Sequence, residues 1–344
     1  MTDLLKKLIS IPSFSREEKD AADFLEGYLI SSGLSPKRCG NNIWVESEPE
    51  SDKPTILLNA HIDTVKPSDS YTRDPFSATQ EGDIIYGLGS NDDGASLVAM
   101  LEAYRQLTAK EQPYRLIYSV AAQEETGGTE GIESILPLIG KVDLGVIGEP
   151  TGMDMAVAEK GLMVLDCTAH GVSGHAARNE GVNAIYEALK DIEWFRTYRF
   201  EKVSDFCGEV KMSVTQINAG SQHNVVPDKC DFVVDIRGNG IYNNLDILET
   251  VGKNVSCEFK PRSTRHNGAS IDINHPIVQR GLGLGLKAFG SPTTSNQSVC
   301  PFTTIKIGPG ESSRSHTADE FIRISEIKQG VEIYTKLLDN LKIQ

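Results

Sequence analysis

Acidic and imidazole side chains that could ligate a metal or move protons occur along the chain in short, well-separated motifs. His61 and Asp63 stand in NAHIDTV, Asp92 and Asp93 in SNDDGAS, Glu124 and Glu125 in AAQEETGG, Glu149 in GEPT and His316 in SRSHTADE. Imidazole nitrogen and carboxylate oxygen suit divalent zinc, and a carboxylate left free beside such a site can act as general base. Singly, each motif has a plainer reading. A lone H-x-D is most often a surface or capping pair, and adjacent glutamates usually sit on a solvated loop. Asp92-Asp93 before a helix makes an ordinary N-cap that complements the helix dipole. Glu149 could start a turn, and His316 could cap the helix that follows it. The plain readings leave one thing unexplained. Four of the motifs end or follow apolar, strand-like runs, and the fifth immediately precedes a helix.

Those runs imply the architecture that must position the motifs. Thr55–Ala60, Arg115–Ala122, Val142–Glu149 and Phe302–Gly308 are long enough for buried strands. Amphipathic spacing predicts helices over Glu17–Leu29 and Gly94–Leu107, with another over Pro276–Phe289 that Gly281, Gly283 and Gly285 weaken, and a long terminal helix over Asp319–Leu341. Strands interleaved with helices imply an α/β unit on a mostly parallel sheet. In such a sheet ligands bind outside the carboxyl ends of the strands, where the motifs fall. Between about 160 and 270 the texture changes. Strands at Gly161–Gly171, Lys211–Gly220, Lys229–Gly238 and Ser256–Thr264 alternate with helices at Asn183–Phe195 and Asn244–Val255. That β-α-β-β-α-β order is the ferredoxin-like split unit. The expectation is a catalytic domain in two segments, 1–159 and 271–344, interrupted by an inserted α+β domain at 160–270.

Composition excludes whole classes. The chain has 344 residues, 34 basic and 48 acidic, for a formal charge of −14. So acidic a protein lacks the electrostatic footprint of a nucleic-acid binder and would be repelled by an anionic membrane surface. With 39% hydrophobic and 24% charged residues it reads as an ordinary globular enzyme. No apolar run approaches the ~18 residues of a membrane span. The first residues, MTDLLKKLIS, form an amphipathic helix rather than a signal peptide. The six cysteines include no C-x-x-C pair, which argues against a disulfide framework or a cysteine zinc site and for a cytoplasmic location. A phosphate loop at Gly87-Leu88-Gly89 also fails. The next glycine is Gly94, which breaks the dinucleotide spacing, and Asp92 and Asp93 would repel a pyrophosphate.

AHIDTV, GLGSNDDG, QEETGG, GEPT, GVSGHAA, NVVPDKCDFVVDIR and SHTADE occur in this order over nearly the whole chain. In this the sequence resembles the zinc metallopeptidase family that contains acetylornithine deacetylase, succinyl-diaminopimelate desuccinylase and aminoacylase, and most of all its acetylornithine deacetylase members. The resemblance implies two zinc ions, with cobalt a possible substitute, bridged by Asp92. His61 and Glu149 complete one site, Glu125 and His316 the other. It implies that Glu124 is the general base and that Asp63 orients His61. It also implies that His175 stabilises the oxyanion in the partner subunit of a homodimer joined through the inserted domain. Asn224 and Arg237 would hold the substrate's carboxylate side. Gly310, in Gly308-Pro309-Gly310 before His316, could present a backbone N–H to substrate or could simply form a turn. The implied activity is removal of a short N-acyl group from an amino acid, foremost N-acetylornithine in arginine biosynthesis. Alternatives are an N-acylcitrulline or N-acyllysine deacylase, succinyl-diaminopimelate desuccinylase, a dipeptidase, or a catalytically silent binding protein on the same fold. The chain departs from the family pattern in two places. Asn296 stands where aspartate is usual, and Asp93-Gly94 replaces the more frequent Met-Lys-Gly. It is also somewhat short.

Overall fold

The aliphatic run Thr55–His61 is buried along its whole length, as a strand covered on both faces must be. In the computed structural model, which describes residues 1–48 and 52–343, it lies between two parallel neighbours, Arg115–Ala121 and Leu144–Ile147. Thr304–Lys306 adds a further parallel strand beyond Leu144–Ile147. The flanks are antiparallel. Asn42–Glu46 pairs with Arg115–Ala121 and carries the hairpin strand Lys37–Cys39. Met155–Glu159 pairs with the late strand at Lys306. The sheet is therefore mixed, with a parallel centre whose carboxyl ends point the same way.

Gly94–Thr108 covers this centre and is buried on nearly every face, from Ala95 and Leu97 through Tyr104 and Leu107. Tyr118 anchors it by donating to the Leu97 carbonyl at 3.0 Å. Ile324–Leu338 packs beside it, and Tyr334 donates to the Ile307 carbonyl at 2.6 Å. The first helix, Thr2–Ile9, buries Leu4, Leu5, Leu8 and Ile9 and leaves its lysines outside. Burying each such leucine stabilises the fold by about 1.5–3 kcal/mol. Gly94 is a close-approach glycine. A Cβ there would meet the Gly89 carbonyl oxygen at 2.5 Å and Leu5 Cδ1 at 2.7 Å. No larger residue could start the helix against the loop that carries Asp92.

The chain divides into two compact units, one of 1–157, 271–289 and 295–344, the other of 158–270 and 290–294. The second unit is a four-stranded antiparallel sheet in the order Lys211–Ala219, Lys229–Arg237, Met163–His170, Glu258–Pro261. Helices Ala184–Thr197 and Asn244–Asn254 belong to it, and the element order is the ferredoxin-like one. Its own core holds Leu165, Phe195, Phe232, Val234 and Val251.

Two expectations at element level are corrected. The helix from Pro276 ends at Gly283, and Ala288–Ser291 is a strand. The glycine spacing that weakens the helix stops it, and Gly285 takes a positive φ. The terminal helix begins at Ile324, because Phe321–Arg323 is drawn into a strand pairing with Ile84–Tyr86. The hairpin at Lys37–Glu46 and the strand Met155–Glu159 were not anticipated. Among the described residues no helix is long and apolar enough to cross a membrane.

Candidate metal centre

Each motif occupies a loop at the carboxyl end of the parallel centre. His61 ends its strand, Glu124 and Glu125 follow Ala121, and Glu149 follows Ile147. The loop after Thr304–Lys306 brings His316, and Asp92 immediately precedes the Asp93 cap of the buried helix. Asp92 lies between the two imidazoles. Its Oδ1 is 3.1 Å from His61 Nε2 and its Oδ2 is 3.7 Å from His316 Nε2. His316 Nε2 also stands 2.9 Å from a Glu125 oxygen. Donor atoms of His61, Asp92 and Glu125 lie within 4.8 Å of one another, as do those of His61, Glu124 and Glu149.

Crowded carboxylates repel one another, and the titration of the group records it. Burial raises Glu124 to about 8, against the attraction of His61 and with the repulsion of Glu125 and Asp63. Burial, reinforced by Asp92 and Glu124, holds Glu149 well above the glutamate range. Burial and the adjacent Asp92 push Asp93 to about 7. The histidines answer in kind. Burial opposes a charge on His61, but Asp63, Asp92 and Glu124 outweigh it, and the ring holds its proton well above the ordinary value. The Glu125 contact raises His316 to about 9.

The loops are held by carboxylates that do not face the cluster. Both oxygens of Asp63 accept backbone N–H groups, Oδ1 from Glu124 at 3.0 Å and Oδ2 from Glu125 at 3.1 Å. Ser15 donates its hydroxyl to Oδ2 at 2.6 Å. Contact with His61 Nδ1 comes first from the Asp63 carbonyl, at 2.9 Å, with the carboxylate at 3.6 Å. Asp63 thus orients the imidazole through its backbone and the two glutamates through its side chain. Glu320, which sequence reasoning missed, does the same for Asp92. It is buried and accepts the N–H groups of Gly89, Asn91 and Asp92 at 2.8–3.0 Å. The available signal was an acid four residues after His316, in SHTADE. Burial raises Glu320 to about 8 against those three bonds.

The remaining candidates divide between the units. Gly310 is buried with φ +86°, and a Cβ there would meet Asn91 Oδ1 at 2.2 Å. Its carbonyl accepts the Gly152 N–H at 2.6 Å, so close packing alone requires a glycine there. His175, Asn224 and Arg237 lie in the second unit. His175 and Asn224 are brought together and exposed. The Asn224 carbonyl accepts the Ala176 N–H at 3.1 Å, and His175 pairs with Val225. His175 Nδ1 accepts the Ala177 N–H. Arg237 is held by Asp235 through two bonds at 2.8 and 3.1 Å. Asn296, at the position where the family pattern has aspartate, is buried and donates to Asn59 Oδ1 at 3.0 Å.

Two imidazoles and three carboxylates gathered around one aspartate suit divalent cations. Comparison with known proteins agrees. Acetylornithine deacetylase of Yersinia pestis is 29% identical over 313 residues, spanning 83% of this chain and 78% of its own. Succinyl-diaminopimelate desuccinylase 2 of Ruegeria sp. (strain TM1040) is 26% identical over 379 residues, spanning 98% and 93%. Aminopeptidase PepT of Bacillus cereus shares the fold with a TM-score of 0.76 at 18% identity, over 98% of this chain and 96% of its own. So does the Bacillus subtilis YXEP protein, described as a dinuclear metal-binding peptidase, with a TM-score of 0.71 at 14% identity over 98% and 96%. The pattern of peptidase family M20/M25/M40 runs through residues 57–340, from the first parallel strand past His316. The chain therefore belongs to peptidase family M20/M25/M40, a family of metal-dependent hydrolases.

Proposed function

We propose that the protein is a cytoplasmic two-zinc amidohydrolase that removes a short acyl group from the α-nitrogen of an amino acid, with N-acetylornithine as substrate in arginine biosynthesis. One observation carries the two-metal part. Asp92 offers one oxygen to each of two imidazoles, and each imidazole has a glutamate within reach, Glu149 near His61 and Glu125 beside His316. His61, Glu149 and Asp92 would hold one ion, and Glu125, His316 and Asp92 the other. Bound there, two divalent ions supply the charge that polarises an amide carbonyl and makes water a competent nucleophile. The chain's own residues do the rest. Glu124 takes a proton from the attacking water and returns it to the departing amine. Asp63 fixes the backbone of Glu124, so its carboxylate starts from a defined position.

His175 supplies a hydrogen bond to the developing oxyanion, and Asn224 and Arg237 receive the substrate's carboxylate side. A guanidinium suits a planar carboxylate, and the pairing with Asp235 keeps it pointed. Gly310 offers its backbone to substrate. The protein pairs with a second copy through the inserted unit. Tyr186 and Leu189 on helix Ala184–Thr197, and Ile217 on the edge strand Lys211–Ala219, are large apolar side chains left exposed there, as such a contact requires.

A second reading, removal of a succinyl group, is kept because a succinyl-diaminopimelate desuccinylase matches the chain at the same 26% identity and 98% coverage as an acetylornithine deacetylase does. Acetyl and succinyl derivatives of ornithine, citrulline, lysine and diaminopimelate, offered to the zinc-loaded enzyme, separate the readings. Highest kcat/KM on N-acetylornithine supports the first, and highest values on succinyl substrates replace it with the second.

A further inference from the structure

We propose that Glu18 is a positioning residue for the general base: from the start of the second helix its carboxylate fixes the backbone at Gln123, and so the aim of Glu124. The inference rests on the reading of Glu124 as the base. Glu18 is completely buried. It stands at the N-cap of helix Lys19–Ser31, where an acidic side chain would ordinarily bond the helix's own first N–H groups, yet it makes no capping bond. Its oxygens are used elsewhere. Oε1 accepts the N–H of Arg16 at 2.5 Å and the N–H of Gln123, 105 residues away, at 3.2 Å. Oε2 accepts the Asn41 side-chain amide at 2.9 Å.

Gln123 needs such a hold. Its φ is +55°, a left-handed conformation that L residues rarely adopt. It is the last residue before Glu124, so a change of its φ and ψ swings the carboxylate that follows. Four successive N–H groups in this loop are each caught by a side chain: Ala122 by Asn42, Gln123 by Glu18, and Glu124 and Glu125 by Asp63. The N-terminal segment supplies the brace at a second point. Ser15 donates to Asp63, Ser13 donates to the Ile62 carbonyl, and the Thr64 N–H bonds the Ser13 carbonyl. Residues 13–18 thus act as a clamp on both the His61 loop and the Glu124 loop, although none of them is a candidate metal ligand.

The test uses the full zinc-loaded chain. Glu18→Ala should lower kcat by ~10²-fold, the cost of a catalytic group misplaced by about an ångström, with KM and metal content as in the wild type. Glu18→Gln should retain activity within about threefold, because its Oε1 can still accept both backbone N–H groups and only the bond from Asn41 to the other oxygen is lost. Amide exchange of the peptide spanning 122–126 should quicken in the alanine variant while strand Thr55–His61 stays protected. Should Glu18→Ala fail to fold, Glu18→Asp draws the carboxylate back by a methylene and should show the same loss of kcat and the same quickened exchange. Unchanged exchange and unchanged kcat would overturn the clamp. So would metal loss in step with activity, or a glutamine variant as damaged as the alanine one. Exchange reads the clamp without reference to chemistry. A fully active Glu124→Gln enzyme would therefore reject the base assignment while the exchange result still judged the role of Glu18 in holding the loop.

Discussion

In the first unit most side chains nearest the proposed chemistry are fixed before any ligand arrives, His316 being the exposed one among them. His61 and Asp63 are buried, and the backbones of Asp92, Glu124 and Glu125 are pinned by carboxylates behind them. In the second unit His175 and Asn224 are exposed, and Arg237 is half-buried with a single acidic partner. The difference separates two tasks. Holding cations demands a rigid set of donors whose mutual repulsion is tolerated in advance. Receiving substrate requires groups that stay accessible and are ordered when it binds.

Breaking the rigid set should have the largest effect. Chelation, or Asp92→Ala, should abolish activity, and elemental analysis should find about two ions per wild-type chain and fewer in the variant. A fully active metal-free preparation would contradict this. Next, Glu124→Gln should lower kcat by ~10²–10⁴ with metal retained, whereas Glu125→Gln should weaken binding of one ion. Equal metal loss in both would erase the distinction between the adjacent glutamates.

The exposed set is tested by mixing. Inactive Glu124→Gln chains combined with inactive His175→Ala chains should partly recover activity if His175 serves the other subunit, because mixed dimers then hold one intact site. No recovery after demonstrated subunit exchange rejects the trans role. Arg237→Ala should raise KM about tenfold with a smaller change in kcat, and lysine should restore little, since it lacks the planar fork. An unchanged KM would remove Arg237 from substrate binding.

The smallest effect concerns pH. In the chelated protein Glu124 is raised from 4.5 to about 8 and His316 from 6.5 to about 9. Both folded-state values lie above the unfolded ones, so the folded chain binds more protons in between. The resulting stability is complete below the unfolded values and is lost as pH rises through the folded ones. The chelated protein should therefore melt about 5 °C lower at pH 9 than at pH 6, and saturating zinc should remove the difference. A melting temperature that rises across that range would refute the crowding of charge.

The sequence was most legible where one physical signal dominated. Continuous apolar runs announced the strands ending at His61 and Ala121, because a strand buried on both faces admits little else. Alternation announced Lys229–Arg237, whose burial alternates residue by residue. Legibility failed where a distant partner decided the outcome. Nothing local marks Phe321–Arg323 as a strand until Ile84–Tyr86 is beside it. Glu320 and Glu18 drew no assignment from the sequence, because each bonds backbone N–H groups of a loop far away in sequence. Donor types and strand-end context pointed to the metal-ligand candidates. The residues that hold those loops became visible only through their hydrogen bonds.

The placement of Thr304–Lys306 constrains how the chain can be made. That strand lies between Leu144–Ile147 and Met155–Glu159, which precede it by about 150 residues. As the polypeptide leaves the ribosome, the slot in the sheet stays unfilled until residues 304–306 emerge, while the intervening unit, continuous from 158 to 270 but for residues 290–294, can fold in the meantime. The donors on the early strands are thus synthesised long before His316, and a truncation ahead of residue 304 would leave an exposed pair of strand edges as a nucleus for aggregation.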